Sequence, residues 1–267
     1  MFKDLIYNIY NFGLRVRYDL FKPKTRKSFD GEIIFHRDGF TDLSEFDVRD
    51  NEFLNSSDNW SSKDMVRIED NVLKLDCIYD PATHTSWQGT REASWIAAMV
   101  QTDVLINYGT WSVTARAPDS FPAIWLMREK HINSEGVLAI IPEVDIMEVI
   151  NDKFQHAIHA KPIKTERSYI HRLTKDNYFR YDNDIHEFTV DLTPKGYKFY
   201  VDGILTAHFI SDDETFTSDV RSYLKINSAE HNVTDHRAST THEIHKIVIR
   251  KNKYTTTDLD NPKPWIK

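Results

Sequence analysis

The sequence predicts an all-β chain folded as a large sandwich of two antiparallel sheets. Three observations carry that expectation. From about Gly31 onward the chain is a succession of short segments in which apolar and polar residues alternate, as half-buried strands do. Patterns at the helical period are scarce after residue 30. The stretch "YKFYVDGILTAHFI" (197–210) sets two alternating runs around Asp202-Gly203, a pair suited to a tight hairpin turn.

In chain order, residues 1–30 stand apart. Phe2, Leu5, Ile6, Ile9, Tyr10 and Phe12 fall partly at helical spacing, and the basic run "KPKTRK" follows. Two readings fit: an amphipathic helix that docks on a partner or a membrane surface, or an arm packed on its own domain. Pro23 ends any helix nearby. The strand segments come next: "EIIF", "MVRI", "NVLKLDCI", "SWIAAMVQTDVLI", "WSVTARA" and "AIWLM", then "EVDIMEVI", "KFQHAIHA", "RSYIHRL", "EFTVDL", the 197–210 hairpin, "SYLKIN" and "IHKIVIRK". With only 8 Gly and 9 Pro no linker stands out, so residues 31–267 read as one domain.

A formal net charge of -7 excludes a general nucleic-acid binder, which is normally basic. Cys77 is the one cysteine, so no intrachain disulfide forms; its place in "VLKLDCI" reads as a buried, inert thiol. No stretch approaches the roughly 18 apolar residues of a spanning helix. The N-terminus shows neither the apolar core nor the small-residue cleavage site of a conventional export signal. Aromatics make up 12% of the chain; most belong to strand packing, and their flat faces also suit sugar rings.

"PEVDIMEVI" (142–150) carries three acids in an otherwise apolar run. In a strand Glu143 and Asp145 share a face, and strict alternation would throw Glu148 onto the apolar one. Burying that charge unpaired costs several kcal/mol. One extra residue, a β-bulge near Met147, returns Glu148 to the side of the other acids. Crowded carboxyls raise at least one pKa. A protonated acid beside an ionised carboxylate is what retaining glycoside hydrolysis requires. A cation site and a solvated strand face are the competing readings of the three acids taken alone.

"EVDIMEV" resembles the E-x-D-x-x-E signature of glycoside hydrolase family 16, in the β-bulge form of laminarinases, agarases and carrageenases. "YGTWSVTARAPDSFPAIWLM" (108–127) is similar to the family's strand pair before the acids, and "DLSEFDV" (42–48) to its opening motif. "KFQHAIHA" (153–160) and "HEFTVDLTPKGYKFYVDGILTAHF" (186–209) are similar to its later strands, so the resemblance spans roughly residues 32–250. It implies a β-jelly roll whose concave cleft binds a polysaccharide and cleaves it with retention. By matching position it makes Glu143 the nucleophile, Glu148 the general acid/base and Asp145 the hydrogen-bonding acid between them. It implies no metal and no organic cofactor.

The resemblance also points to substrate contacts. Trp125 matches a position lining the cleft floor, where it stacks on a sugar or packs in the core. His159 matches a histidine after the acids, a sugar contact or a structural residue. Trp87, Trp95 and Arg91 lie in or beside "HTSWQGTREASW" (84–95), read as a cleft rim, with Arg91 facing any anionic substituent. Trp111 reads as packing. Glu230 sits in "LKINSAEHNVTDHRAS" (224–239), which, with Asn227, His231 and Arg237, is more like the polar segment of galactan-cleaving members than the Gly-Gly-x-Trp segment of β-glucan-cleaving ones. Further departures are Phe121 for a tryptophan, Ser112 and Thr114 for a Glu and an Arg, and His245 for an Asp that often binds calcium. They weigh against a β-glucan substrate and a calcium site, and none touches the acids.

The function expected is an endo-acting retaining hydrolase of a β-glucan or galactan type of polysaccharide. The alternatives are a transglycosylase, or a non-catalytic carbohydrate-binding jelly roll on a larger particle with residues 1–30 as its attachment arm. The expected site of action is extracellular or on such a particle.

Overall fold

The computed structural model describes residues 28–54, 58–118, 120–128, 131–132, 138–139, 143–150, 153–160, 169–172, 184–210, 221–230 and 239–252. Nearly all of the 1–30 arm lies outside the described residues, as do His231 and Arg237. Among the described residues the strands are β1 (Glu32–Asp38), β2 (Phe46–Val48), β3 (Glu52–Phe53), β4 (Asn59–Ser61), β5 (Val66–Glu69), β6 (Val72–Ser86), β7 (Gly89–Thr102), β8 (Gly109–Arg116), β9 (Phe121–Arg128) and β10 (His131–Ile132). They continue with β11 (Leu138–Ala139), β12 (Glu143–Ile150), β13 (Lys153–Ala160), β14 (Tyr169–Arg172), β15 (Ile185–Thr193), β16 (Gly196–Val201), β17 (Ile204–Ile210), β18 (Ser222–Ala229) and β19 (Thr240–Lys251). The described residues hold no α-helix, only a single 3-10 turn at Lys63–Met65.

The strands form the expected jelly-roll sandwich. One layer runs β17-β16-β15-β8-β19, with β1 and β6 sharing the free edge of β19. The other runs β2-β7-β18-β9-β12-β13-β14. One refinement follows from β7, which belongs to both. It pairs with β6 as far as Ala97 and with β18 from Ala98, so the layers are hydrogen-bonded into one continuous sheet. Two alanines of 0% exposure at the switch leave room for the strand to bend. β4 runs parallel to β7, an exception to the antiparallel pattern.

Between the layers Trp111, Tyr197, Phe199, Ile124, Leu126, Ile146, Met147 and Ile158 are completely buried. Each such side chain contributes about 1.5–3 kcal/mol, which is why the alternating segments settle with these residues inward. Trp111 packs as expected, and Cys77 is buried, its thiol pushed far up by loss of solvent. At the hairpin Asp202 (φ 51°) and Gly203 (φ 75°) both take the positive angles that a two-residue turn of this hand needs.

Three histidines are also interior. His156, His208 and His242 are at most 6% exposed, and burial lowers their pKa values to about 3, 4 and 4. They are neutral in the folded chain.

The 84–95 stretch differs from the expected rim loop. β6 and β7 continue through it to a two-residue turn at Trp87 and Gln88. Pro81, which reads as a strand breaker, sits where the register shifts between Tyr79 and Ala82 and so interrupts no ladder bond. The Gln88 amide clamps the hairpin: Phe53 N donates to its Oε1 at 2.7 Å, and its Nε2 donates to Phe53 O at 3.2 Å.

Candidate active site

The acids sit on β12, between β9 and β13. Asp145 opposes Ala157 and Glu148 opposes Gln155, so Ile146 and Met147 together face the single residue His156. Both are 0% exposed and belong to the core. This is the bulge that the sequence demands, and it leaves Glu143, Asp145 and Glu148 on the outer face of the layer.

A bulge leaves backbone groups outside the ladder, and buried ones need partners. Here His156 supplies one. Its Nδ1 donates to the Ile146 carbonyl at 2.6 Å. Its Nε2 lies 2.9 Å from Thr206 Oγ1 on β17, and the Thr206 hydroxyl proton is shared between that nitrogen and Phe199 O at 3.0 Å. The bulged carbonyl is thereby tied across the core to the opposite layer. The ring also stacks on Phe199, with centroids 4.7 Å apart.

On the outer face Asp145 is 1% exposed and Glu148 7%, whereas Glu143 is partly open to solvent. Gln155 Nε2 donates to Glu148 Oε2 at 2.8 Å and orients that carboxyl. His159 Nε2 stands 2.9 Å from Asp145 Oδ2, a close electrostatic contact without hydrogen-bond alignment. Burial pushes the Asp145 pKa well up, and the charges of Glu148 and Glu143 add to it. Burial also raises Glu143, assisted by Glu148, while His159 and Lys225 pull it back down. Burial presses harder on Asp145, the acid deepest from water, so a proton shared between the two favours Asp145 over Glu143.

Glu143, Asp145 and His159 present ligand atoms all within 4.8 Å of one another, the residues best placed to meet a cation among those described. A cation there would first have to displace the proton that burial favours on Asp145, since a carboxyl binds metal only when ionised.

The other expected contacts are placed unevenly. Trp125 opposes Asp145 on β9 and shares the acids' face, but it is only 4% exposed. Its Nε1 donates to Asn227 Oδ1 at 2.8 Å, and its ring is covered by Lys225, whose Nζ lies 4.7 Å from the centroid. A sugar arriving from solvent meets Lys225 before the indole. Trp95, read as in or beside the rim, is 2% exposed within β7 and packs edge-on against Tyr79. The exposed tryptophan of that stretch is Trp87, 83% open at the hairpin tip. Arg91 lies on the same hairpin with its guanidinium 3.9 Å over the Phe53 ring. Glu230 follows β18, its backbone locked to the Asn59 amide by bonds of 2.7 and 3.0 Å. His159 is 36% exposed beside the acids.

Residues that sequence reading did not single out for the site are His156, Gln155 and Lys225. Gln155 and His156 owe their places to the register of β13 against the bulged β12, and Lys225 to strands distant in sequence: it opposes Trp125, which opposes Asp145. A groove on the outer face of the opposite layer, lined by Arg116, His186, Asp202 and Lys246 among others, holds none of these acids. Its charges meet partners nearby, Arg116 with Glu243, His186 with Asp202 and Lys246 with Asp38.

Comparison with known proteins gives the family and the fold. The sequence profile described as glycosyl hydrolases family 16 matches residues 54–244. The catalytic domain of an endo-1,3-beta-glucanase (laminarinase) from Thermotoga petrophila superposes with a TM-score of 0.65 at 17% identity, covering 85% of this chain and 100% of that one. The kappa-carrageenase of Pseudoalteromonas carrageenovora, solved with a kappa-carrageenan oligotetrasaccharide, gives 0.63 at 13% identity, covering 86% and 98%. A structure from work on endo-acting O-glycanases of the human gut microbiota gives 0.67 at 15% identity, covering 91% and 98%. Among curated proteins no sequence match is found.

Proposed function

Because the chain belongs to glycosyl hydrolase family 16, we propose that it is an endo-acting glycoside hydrolase that cleaves a polysaccharide with retention, by double displacement. The observation that carries this reading is the bulge, which brings Glu143, Asp145 and Glu148 onto one face. In the proposal Glu143 attacks the anomeric carbon while Glu148 protonates the leaving oxygen. Glu148 then takes a proton from the water that hydrolyses the glycosyl-enzyme. Asp145 holds a proton of its own, so that Glu143 stays ionised while Glu148 is neutral or charged by turns. Gln155 orients Glu148, and His159 tempers the negative field around Glu143 and Asp145.

The test is reducing-end release from laminarin, mixed-linkage glucan, agarose, porphyran and carrageenan, with Glu143→Gln as control. Release from one member, lost in the variant, is the expected result. Release that persists in the variant would overturn the assignment.

Asp145 gives a second expectation. Its folded-state pKa is raised, so its contribution to stability is complete below its unfolded value and is lost as pH rises through the folded one. Asp145→Asn removes that loss. The variant should melt roughly 2–4 °C higher at pH 8, the shift of about 1 kcal/mol in a chain this size. The gap should close toward pH 4, as followed by thermal unfolding. Its kcat should fall about tenfold, less than for either glutamate.

A further inference from the structure

Lys225 is a cation on the face of the acids that makes no ion pair with a carboxylate among the described residues. Among the described residues its ammonium meets two aromatic rings, at 4.7 Å from the Trp125 centroid and 5.9 Å from that of Tyr223. Two of the nearby acids are taken by Arg49, which contacts Asp47 at 3.2 Å and Glu52 at 2.7 Å, and the third, Glu143, attracts Lys225 without an ion-pair contact among the described residues. The Arg49 charge also repels the ammonium, and with burial it holds the Lys225 pKa below the ordinary value against the attraction of Glu52, Glu143 and Asp47. Two rings stabilise an ammonium by about 0.5–2 kcal/mol each, but they supply no hydrogen-bond acceptor for its three protons. Lys225 nonetheless remains partly open to solvent, while Trp125 beneath it is buried.

Its position gives this exposure a meaning. Lys225, Trp125 and Asp145 stand side by side on three neighbouring strands. The lysine is thus two strand spacings from the acid cluster, about 10 Å. From that backbone position its ammonium feels the Glu143 charge and has the reach to touch a sugar further along the same chain.

Resting on the glycosidase reading above, we infer that Lys225 recognises an anionic substituent, a sulfate ester or a uronate carboxylate, on a sugar next to the cleavage point, and so selects charged over neutral glycans. The anion supplies the acceptors that the rings lack, and a charge-assisted bond from a half-buried ammonium is stronger than a neutral one. Arg91 is the cation that the sequence points to for this role; its guanidinium lies over Phe53 on the hairpin instead.

The test is binding of three oligosaccharide sets to the full chain carrying Glu143→Gln, which prevents turnover: sulfated galactan oligosaccharides, the same oligosaccharides desulfated, and uronate-bearing ones. The expected result is tighter binding of one charged set than of the desulfated one. Lys225→Met, which keeps an apolar stem over Trp125, should shrink that ratio about tenfold, and Lys225→Arg should preserve it. Whichever charged set loses most identifies the anion. Equal affinity for charged and desulfated glycans, no binding of any charged set, or a ratio untouched by Lys225→Met would each overturn the inference. The hydrolase reading fails by a different result, the absence of reducing-end release, so the two are separable.

Discussion

Glu143→Gln and Glu148→Gln should each lower kcat on a polysaccharide by about 10³–10⁴-fold, with melting temperatures within a few degrees of the parent. The two losses have different chemical origins, and a change of substrate separates them. An aryl glycoside with a strongly acidic phenol leaves without a proton. Glycosylation of the enzyme then no longer needs Glu148, and Glu148→Gln should recover much of its first step, visible as a burst of phenol. Glu143→Gln lacks the attacking oxygen whatever the leaving group, and should recover nothing. Equal rescue of both variants would reverse or dissolve the assignment of roles. Neither substitution should unfold the chain. An amide fills nearly the same volume as a carboxyl, and its oxygen in the Glu148→Gln variant can still accept from Gln155.

The second large effect is expected at a residue that touches no substrate. His156→Leu removes the donor to the Ile146 carbonyl and leaves that group buried and unpaired, at a cost of about 1–3 kcal/mol. The bulge is then free to slide, and any slide of one residue carries Glu148 toward the core. We expect kcat to fall about 10²-fold with KM nearly constant, since the sugar-binding surface is untouched. His156→Asn, whose amide can donate to the same carbonyl, should restore a good part of kcat. A Leu variant that is less stable but turns over at the parent rate would show that His156 supports the fold alone.

What the sequence revealed, and what it hid, divides along a physical line. Glu148 could be placed because a local rule was about to be broken: an acid on an apolar face is so costly that a bulge had to intervene. The hairpin at Asp202-Gly203 was legible for the same reason, since only certain residues take φ angles of 51° and 75° without strain. Lys225, Gln155 and His156 were not legible, because their roles depend on which strands lie side by side. Trp125, the partner of Lys225, is 100 residues away in the chain, and alternation says which face a side chain takes but not what it will meet there. Trp95 shows the converse failure. The 84–95 stretch reads as a turn-rich rim, yet β6 and β7 run through it to a turn at Trp87 and Gln88, and Trp95 beside it is buried.

The three interior histidines set a boundary on the conditions in which the chain can work. Each is neutral when folded and would take a proton near pH 6.5 once unfolded. Their support for the native state is complete above that pH and drains away as it falls toward 4. The slope is at most about 1.4 kcal/mol per pH unit for each, so three together approach 4 kcal/mol per unit. Against a total stability on the order of 5–15 kcal/mol, two or three units of acidification consume most of the reserve. The raised carboxyls of Glu143 and Asp145 work in the opposite sense and soften the loss without cancelling it. A glycosidase that needs a protonated acid gains chemically from mild acidity, and in this one the buried histidines are expected to oppose that gain, as a melting temperature that falls between pH 6.5 and 4. The lower limit expected on this ground comes from buried imidazoles, not from Glu143, Asp145 and Glu148.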